Sequence, residues 1–230
     1  MKSKSRLLAA VLVLFSSAPL HADEKHHEDP TKIVTKAGIA YNEELKFSGS
    51  IGLDEARMIN ARINADGDEW RVGGSWLLPL GIVNFNFSRS EYDNDAYKNN
   101  YSIGTFVPLS YFGLEPYGWQ LFPMAGYSYN DGEVAYFDDS SVDNDYVLMP
   151  TSTHGGYLGA FGLKPLNKQW SLLAFGGGSM GSDDYSGYWA GIGASYKISE
   201  AQSFNLFSIF AEDDFGENNS VGVSYTYEFN

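Results

Sequence analysis

The sequence predicts an all-β fold: a closed antiparallel transmembrane β-barrel of about twelve strands, with ten as the alternative count. Three observations predict it. Apolar and polar residues alternate with period two over most of the chain, and no stretch of comparable length carries a helical period. The connections fall into two sets, short on one side and long and acidic on the other. Aromatic residues gather near both ends of the strands, with Ala, Val, Ile and Leu between them.

The strands follow in order. A first segment, 33–41, precedes 45–53, where Leu45, Phe47, Ile51 and Leu53 alternate with Lys46, Ser48, Ser50 and Gly52. In 57–65, Ile59, Ala61 and Ile63 alternate with Asn60, Arg62 and Asn64; in 69–77, Trp70, Val72 and Trp76 alternate with Arg71, Gly73 and Ser75. Val83, Phe85 and Phe87 alternate with Asn84, Asn86 and Ser88 in 81–89. Segments 100–108, 118–129, 154–163, 169–179, 186–197 and 203–211 come next. The last, 219–229, alternates Val221, Val223, Tyr225, Tyr227 and Phe229 with Gly222, Ser224, Thr226 and Glu228. Gly176-Gly177-Gly178 has no following Lys-Ser/Thr, so it reads as small residues in a strongly bent strand and not as a phosphate loop.

Short connections are expected at Asp54-Glu55, Pro79-Leu80, 113–116, 164–167 and 199–201. The other set (42–44, 65–69, 89–99, 130–153, 180–186 and 211–219) holds most of the 29 acidic residues against only Arg89 and Lys98. Outward aromatics are expected as two girdles. Trp70, Tyr101, Tyr127, Tyr129 and Tyr188 lie toward the acidic connections; Trp76, Trp119, Trp170, Tyr196, Phe204, Tyr227 and Phe229 lie toward the short turns.

Composition narrows the function. With no Cys there is no disulfide scaffold and no thiolate metal site. A net charge of −14 excludes a basic nucleic-acid surface, and 16% aromatic content excludes an acidic disordered chain. Residues 1–22 read as a secretory signal: Lys2, Lys4 and Arg6, then the apolar run Leu7 to Phe15, then Leu20-His21-Ala22 ahead of Asp23. Residues 23–32 read as a solvated periplasmic tail in which His26 and His27 could at most form a weak metal site, and 33–230 as the barrel.

The end of the chain, Ser220-Val221-Gly222-Val223-Ser224-Tyr225-Thr226-Tyr227 followed by Glu228-Phe229-Asn230, resembles the last strand of the outer-membrane β-barrel proteins of Gram-negative bacteria. That family's pattern is polar-x-Gly-x-x-aromatic-x-aromatic, and this chain adds Asn230 where many members end on Phe. The resemblance implies Sec-type export, an outer-membrane location among lipid and lipopolysaccharide, and Gly222, Tyr225, Tyr227 and Phe229 as the signal read by the barrel-insertion machinery. It selects no subfamily and no substrate.

Inward positions carry the functional expectation. Lys46, Arg62 and Arg71, from three consecutive strands, form a basic wall beside Asn60, Asn64, Asn84 and Asn86. Unpaired cations in a closed core are costly, so water or anions are expected to reach them. Leu173, Phe175, Trp189, Phe207 and Ile209 form an apolar wall, and Lys36 is expected to pair with Glu228 where the last strand meets the first. The expected function is a small passive channel or binding barrel for a small polar, anionic solute. The alternative is a plugged barrel with an envelope-structural or surface-binding role through its acidic loops. No cofactor and no enzymatic activity are expected, because His154 has no catalytic spacing around it. Asp138, Asp139, Asp143 and Asp145 offer oxygen ligands for Ca²⁺ but lack the Gly and Glu of a helix–loop–helix calcium site, and read as a solvated loop.

Overall fold

The computed structural model describes residues 25–91, 96–137 and 146–229. Its strands are β1 (Thr35–Asn42), β2 (Glu44–Gly52), β3 (Arg57–Asn64), β4 (Glu69–Leu78), β5 (Gly81–Glu91), β6 (Tyr97–Phe106), β7 (Gln120–Phe137), β8 (Tyr146–Pro165), β9 (Trp170–Gly181), β10 (Ser186–Ser199), β11 (Gln202–Asp213) and β12 (Gly216–Phe229). Each pairs antiparallel with its neighbours in sequence, and β12 closes on β1, so the sheet has no free lateral edge. The strands tilt, as closure of a twisted sheet requires. Partner by partner, Tyr41 at one end of β1 leads through Val223, Leu206, Ala194 and Leu172 to Lys164 at the opposite end of β8. "Outer" below means the end with the acidic connections; "inner" means the end holding the termini of β1 and β12.

Period two sets the two surfaces. Ile39, Phe47, Ile59, Val72, Phe85, Leu158, Ile192, Leu206 and Val221 are exposed on the outside, flanked by exposed Tyr101, Tyr127, Tyr129 and Tyr188 toward the outer end. Trp76, Trp170, Phe204, Tyr227 and Phe229 are exposed toward the inner end. An apolar band between two aromatic rings suits a hydrocarbon layer and would be unstable in water over this area. Among the described residues the buried apolar side chains lie toward the two ends of the interior. Ile82, Phe122 and Leu163 are buried at the inner end, and Ala96, Tyr185 and Phe215 at the outer.

Two connections differ from expectation. The loop expected at 130–153 is mostly ladder: β7 and β8 stay paired through Asp131–Ser152 and Glu133–Pro150 to Phe137–Tyr146. Pairing needs only backbone groups, so a polar segment beyond the lipid continues the ladder as readily as an apolar one. β6 leaves β7 at Glu133 and β9 leaves β8 at Gly155, so the hairpin stands above the rim. At the inner end, β6 and β7 are joined by a longer stretch with two 3-10 turns, Leu109–Phe112 and Pro116–Gly118. There Tyr117, at φ 54, is 93% exposed.

Candidate functional site in the barrel lumen

The register builds the polar wall. Ser48, Arg62, Arg71 and Ser88 are consecutive cross-strand partners, and two residues further in so are Ser50, Asn60, Gly73 and Asn86. Arg62 and Arg71 therefore face each other directly, an arrangement that costs energy unless an anion relieves it. Glu69 gives part of that relief. It accepts from Lys46 Nζ at 2.5 Å and from Arg62 Nη2 at 2.8 Å. The Lys46 side chain is only 6% exposed, whereas that of Arg62 is 42% exposed to the lumen. Arg71 is also exposed, and makes no ion pair or hydrogen bond among the described residues. Lys46 and Arg62 thus share one carboxylate, and Arg71 has no ion pair of its own among the described residues.

Gly73 matters to this wall. A Cβ there would lie 2.7 Å from Asn86 Oδ1, 3.0 Å from Asn60 Oδ1 and 2.6 Å from the Phe85 carbonyl oxygen. Glycine leaves both amides facing one gap beneath the two guanidinium groups. Asn84 is already engaged, accepting from Ser75 Oγ at 2.7 Å. Asn64 does not belong to the solute-facing wall as expected. It is buried, accepts from the N–H groups of Gly67 (2.9 Å) and Glu69 (3.0 Å), and donates to Glu44 and Asp68. Its side chain folds the outer turn at 65–68 and so positions Glu69. Glu69 itself was hidden from sequence reasoning at a loop–strand junction; its offset from Lys46 and Arg62 emerges only from the register.

The facing wall is apolar. Leu173, Phe175, Trp189, Phe207 and Ile209 all point inward. Tyr157 and Trp189 meet edge to face at 6.1 Å, and Phe122 lies 5.9 Å from Phe161 nearer the inner end. Tyr157 fits only because Gly104 and Gly126 lack side chains, its ring and hydroxyl lying where their Cβ atoms would be.

Described residues occupy both ends of this lumen. At the outer end, Lys98 of β6 donates to Asp213 of β11, across the barrel between strands that are not neighbours. The Lys98 ammonium also lies 5.0 Å over the Phe215 ring. Tyr185 Oη donates to Asp213 Oδ2 at 3.2 Å, and its ring lies 6.3 Å from that of Phe215. Burial first, and the Asp213 carboxylate next, push the Tyr185 hydroxyl up to about 12, so it stays a donor. Below, Asn100 donates to Asn130 at 2.8 Å and Asn130 to Thr153 at 3.1 Å, stitching β6, β7 and β8 together.

At the inner end the solvated tail of expectation is instead packed in the lumen. Residues 25–32 form a polar knot: Asp29 Oδ1 accepts from Thr31 N and Oγ1, both at 2.7 Å, and Lys25 Nζ donates to Thr31 Oγ1 at 2.9 Å and to its carbonyl oxygen at 3.0 Å. The His26 and His27 rings stack at 4.1 Å. His26 Nδ1 accepts from the Glu28 N–H (3.1 Å), so the neutral ring carries its proton on Nε2 and donates it to Ser171 Oγ at 2.8 Å. His27 Nε2 lies 2.9 Å from Ser195 Oγ, and Glu28 Oε1 accepts from Asn205 Nδ2 at 2.9 Å and Ser195 Oγ at 3.2 Å. Burial, then the neighbouring His27, lower the His26 pKa to about 4, and burial lowers that of His27. A charged, His-rich stretch reads as a water-soluble leader, and a hydrophilic lumen satisfies it equally well.

The seam is also corrected in one detail. Lys36 does lie opposite Glu228, but the ammonium that reaches the Glu228 carboxylate belongs to Lys32, at 2.6 Å. The tail brings a cation closer than the strand can. Nearby, Gly222 faces inward against Phe207 and Asn42, while Tyr225, Tyr227 and Phe229 alternate to the outside of β12. His154 is exposed on the outer face of β8; its backbone N–H donates to Ser182 Oγ at 3.1 Å, and its ring lies 6.3 Å from that of Tyr127. The candidate Ca²⁺ ligands Asp138, Asp139, Asp143 and Asp145 lie outside the described residues, as do residues 1–22. Among the described residues no three metal-ligating side chains converge.

No protein-family model matches the chain, and no curated protein does. Among solved structures it is similar to the translocator domain of the autotransporter NalP from Neisseria meningitidis, with TM-score 0.58 and 14% identity over 85% of each chain. A bacterial polysaccharide outer membrane secretin gives TM-score 0.49 at 11% identity, covering 81% of this chain and 70% of that one. A KdgM porin in complex with disordered oligogalacturonate gives 0.43 at 9% identity, covering 86% and 100%. At these identities the likeness is one of architecture: the chain has the closed antiparallel barrel fold of transmembrane β-barrel proteins.

Proposed function

We propose that this chain is an outer-membrane channel for small anionic solutes, held closed at both ends of its lumen in the state described. The observation that carries this reading is Arg71, a guanidinium exposed inside the barrel, opposite Arg62, that makes no ion pair or hydrogen bond among the described residues. Water or an anion completes such a site, and the Asn60 and Asn86 amides beside it offer donors and acceptors for a solute's hydroxyl or carbonyl groups. The apolar band and aromatic girdles support the membrane location. The β12 pattern of Gly222, Tyr225, Tyr227 and Phe229 supports delivery by the barrel-insertion machinery after Sec-type export. Planar-bilayer recording tests the reading. The native chain should show discrete openings that favour anions, and Arg62→Glu with Arg71→Glu should reverse the preference. Openings whose ion preference is indifferent to these substitutions would refute it.

A second reading is favoured by the β7–β8 hairpin standing above the rim. Its acidic residues would bind a surface partner, or bridge to lipopolysaccharide phosphates through divalent cations. Deleting 131–150 should then abolish binding to cells or lipopolysaccharide while the barrel remains folded.

A further inference from the structure

We propose that residues 25–32 are an autoinhibitory plug: a tethered hydrophilic ligand that docks in the inner mouth of the barrel and leaves it to open the lumen. The composition of the segment argues for release. From Lys25 to Lys32 the only apolar group is the Pro30 ring, so docking buries almost no apolar side chain. Its holds on the wall are hydrogen bonds to Ser171, Ser195 and Asn205 and one ion pair to Glu228. Every one of these groups is equally well hydrated when apart, so each contact contributes little net free energy. A fixed structural element in the same place would be anchored by hydrophobic side chains, as the Ile82, Phe122 and Leu163 cluster of the inner wall is.

Return is as easy as departure. Ile33 and Val34 lead directly into β1, which keeps the free segment at high effective concentration near its groove. The charged groups around it are mixed. Lys25, Glu28, Asp29 and Lys32 belong to the segment, Lys197 to β10, Glu200 to the turn after it and Glu228 to β12. No single strong attraction locks it. Docked, it sits against the inner ends of β9 to β12; undocked, it clears that end while the strand-to-strand hydrogen bonds of the barrel stay whole.

The chain has no cysteine, so one introduced thiol reads the docking equilibrium. Thr31 is fully buried in the plug, and Glu115 is exposed in the inner connection. In reconstituted full-length protein, Thr31→Cys should react with a membrane-impermeant maleimide, more slowly than Glu115→Cys by about tenfold or more, since it reacts only when undocked. Adding Ser171→Ala, Ser195→Ala and Asn205→Ala should speed it by about fivefold for each lost hydrogen bond. The bound maleimide is too bulky to redock, so labelled Thr31→Cys channels should open more often, with unchanged ion preference.

A Thr31→Cys thiol that stays unreacted while Glu115→Cys is fully labelled would make the segment a fixed element and overturn the inference. Reaction as fast as Glu115→Cys would overturn docking, and unchanged openings after labelling would overturn its role as the barrier. The gating part rests on the channel reading, but the labelling does not. A chain that labels at the expected rates yet never conducts would refute the channel and leave the docking equilibrium established.

Discussion

Lys98 on β6 and Asp213 on β11 form an ion pair across the lumen, joining strands that share no backbone hydrogen bond. Both side chains are mostly buried, and the pair is covered by Phe215 and Tyr185. Asp213→Asn should lengthen openings in bilayer recordings and, by leaving the mostly buried Lys98 ammonium without its partner, cost about 1–3 kcal/mol in thermal unfolding. The exchange Lys98→Asp with Asp213→Lys should restore the closed behaviour, which a loss of packing alone would not.

Glu69 is expected to govern both stability and selectivity. Replacing it by Gln strands the nearly buried Lys46 ammonium and leaves Arg62 facing Arg71 without relief. Thermal unfolding in detergent should show a loss of about 1–3 kcal/mol, the usual cost of depriving a buried polar group of its partner. The same variant should favour anions more strongly than the native chain. Arg71→Gln should do the opposite, lowering anion preference with little effect on unfolding, because Arg71 has no hydrogen bond or ion pair to lose among the described residues.

Plug docking should weaken with acid. A free histidine takes a proton near 6.5, whereas docked His26 resists protonation down to about 4, and the His27 value is lowered as well. The undocked segment therefore binds protons first, and docking is fully favoured above about 6.5 and loses strength as pH falls from about 6.5 to about 4. The structural reason is local: a protonated His26 carries a hydrogen on Nδ1, where the Glu28 N–H now donates. Open probability should rise over that interval, and His26→Gln with His27→Gln should flatten the rise, as measured by recordings at stepped pH.

Gly104 and Tyr157 should behave as one fitted pair. A Cβ on residue 104 would lie well inside contact distance of the Tyr157 hydroxyl oxygen. Gly104→Ala should cost about 1–3 kcal/mol in thermal unfolding, typical of overpacking. Tyr157→Leu in the same chain should recover most of it.

Period-two alternation made the twelve strands, both girdles and the inward set of Lys46, Arg62, Arg71 and the apolar wall legible in the sequence. Such alternation fixes which face a residue occupies, and that is local information. It says nothing of which residues on that face meet. Glu69 meets Lys46 from two strands away, Asp213 meets Lys98 across the lumen, and both pairings depend on strand offset and tilt. The β7–β8 extension was hidden because polar residues read as loop whether or not their backbones pair. The plug was hidden because charge signals contact with water, and a polar lumen is the one interior that provides a substitute.

The groove that receives residues 25–32 is made from Ser171, Ser195, Asn205 and Glu228, all on the last four strands. The first part of the described chain thus waits for the last part before it has anywhere to sit. During membrane insertion the segment made first is therefore seated last, since a barrel still lacking β9 to β12 has no groove to hold it.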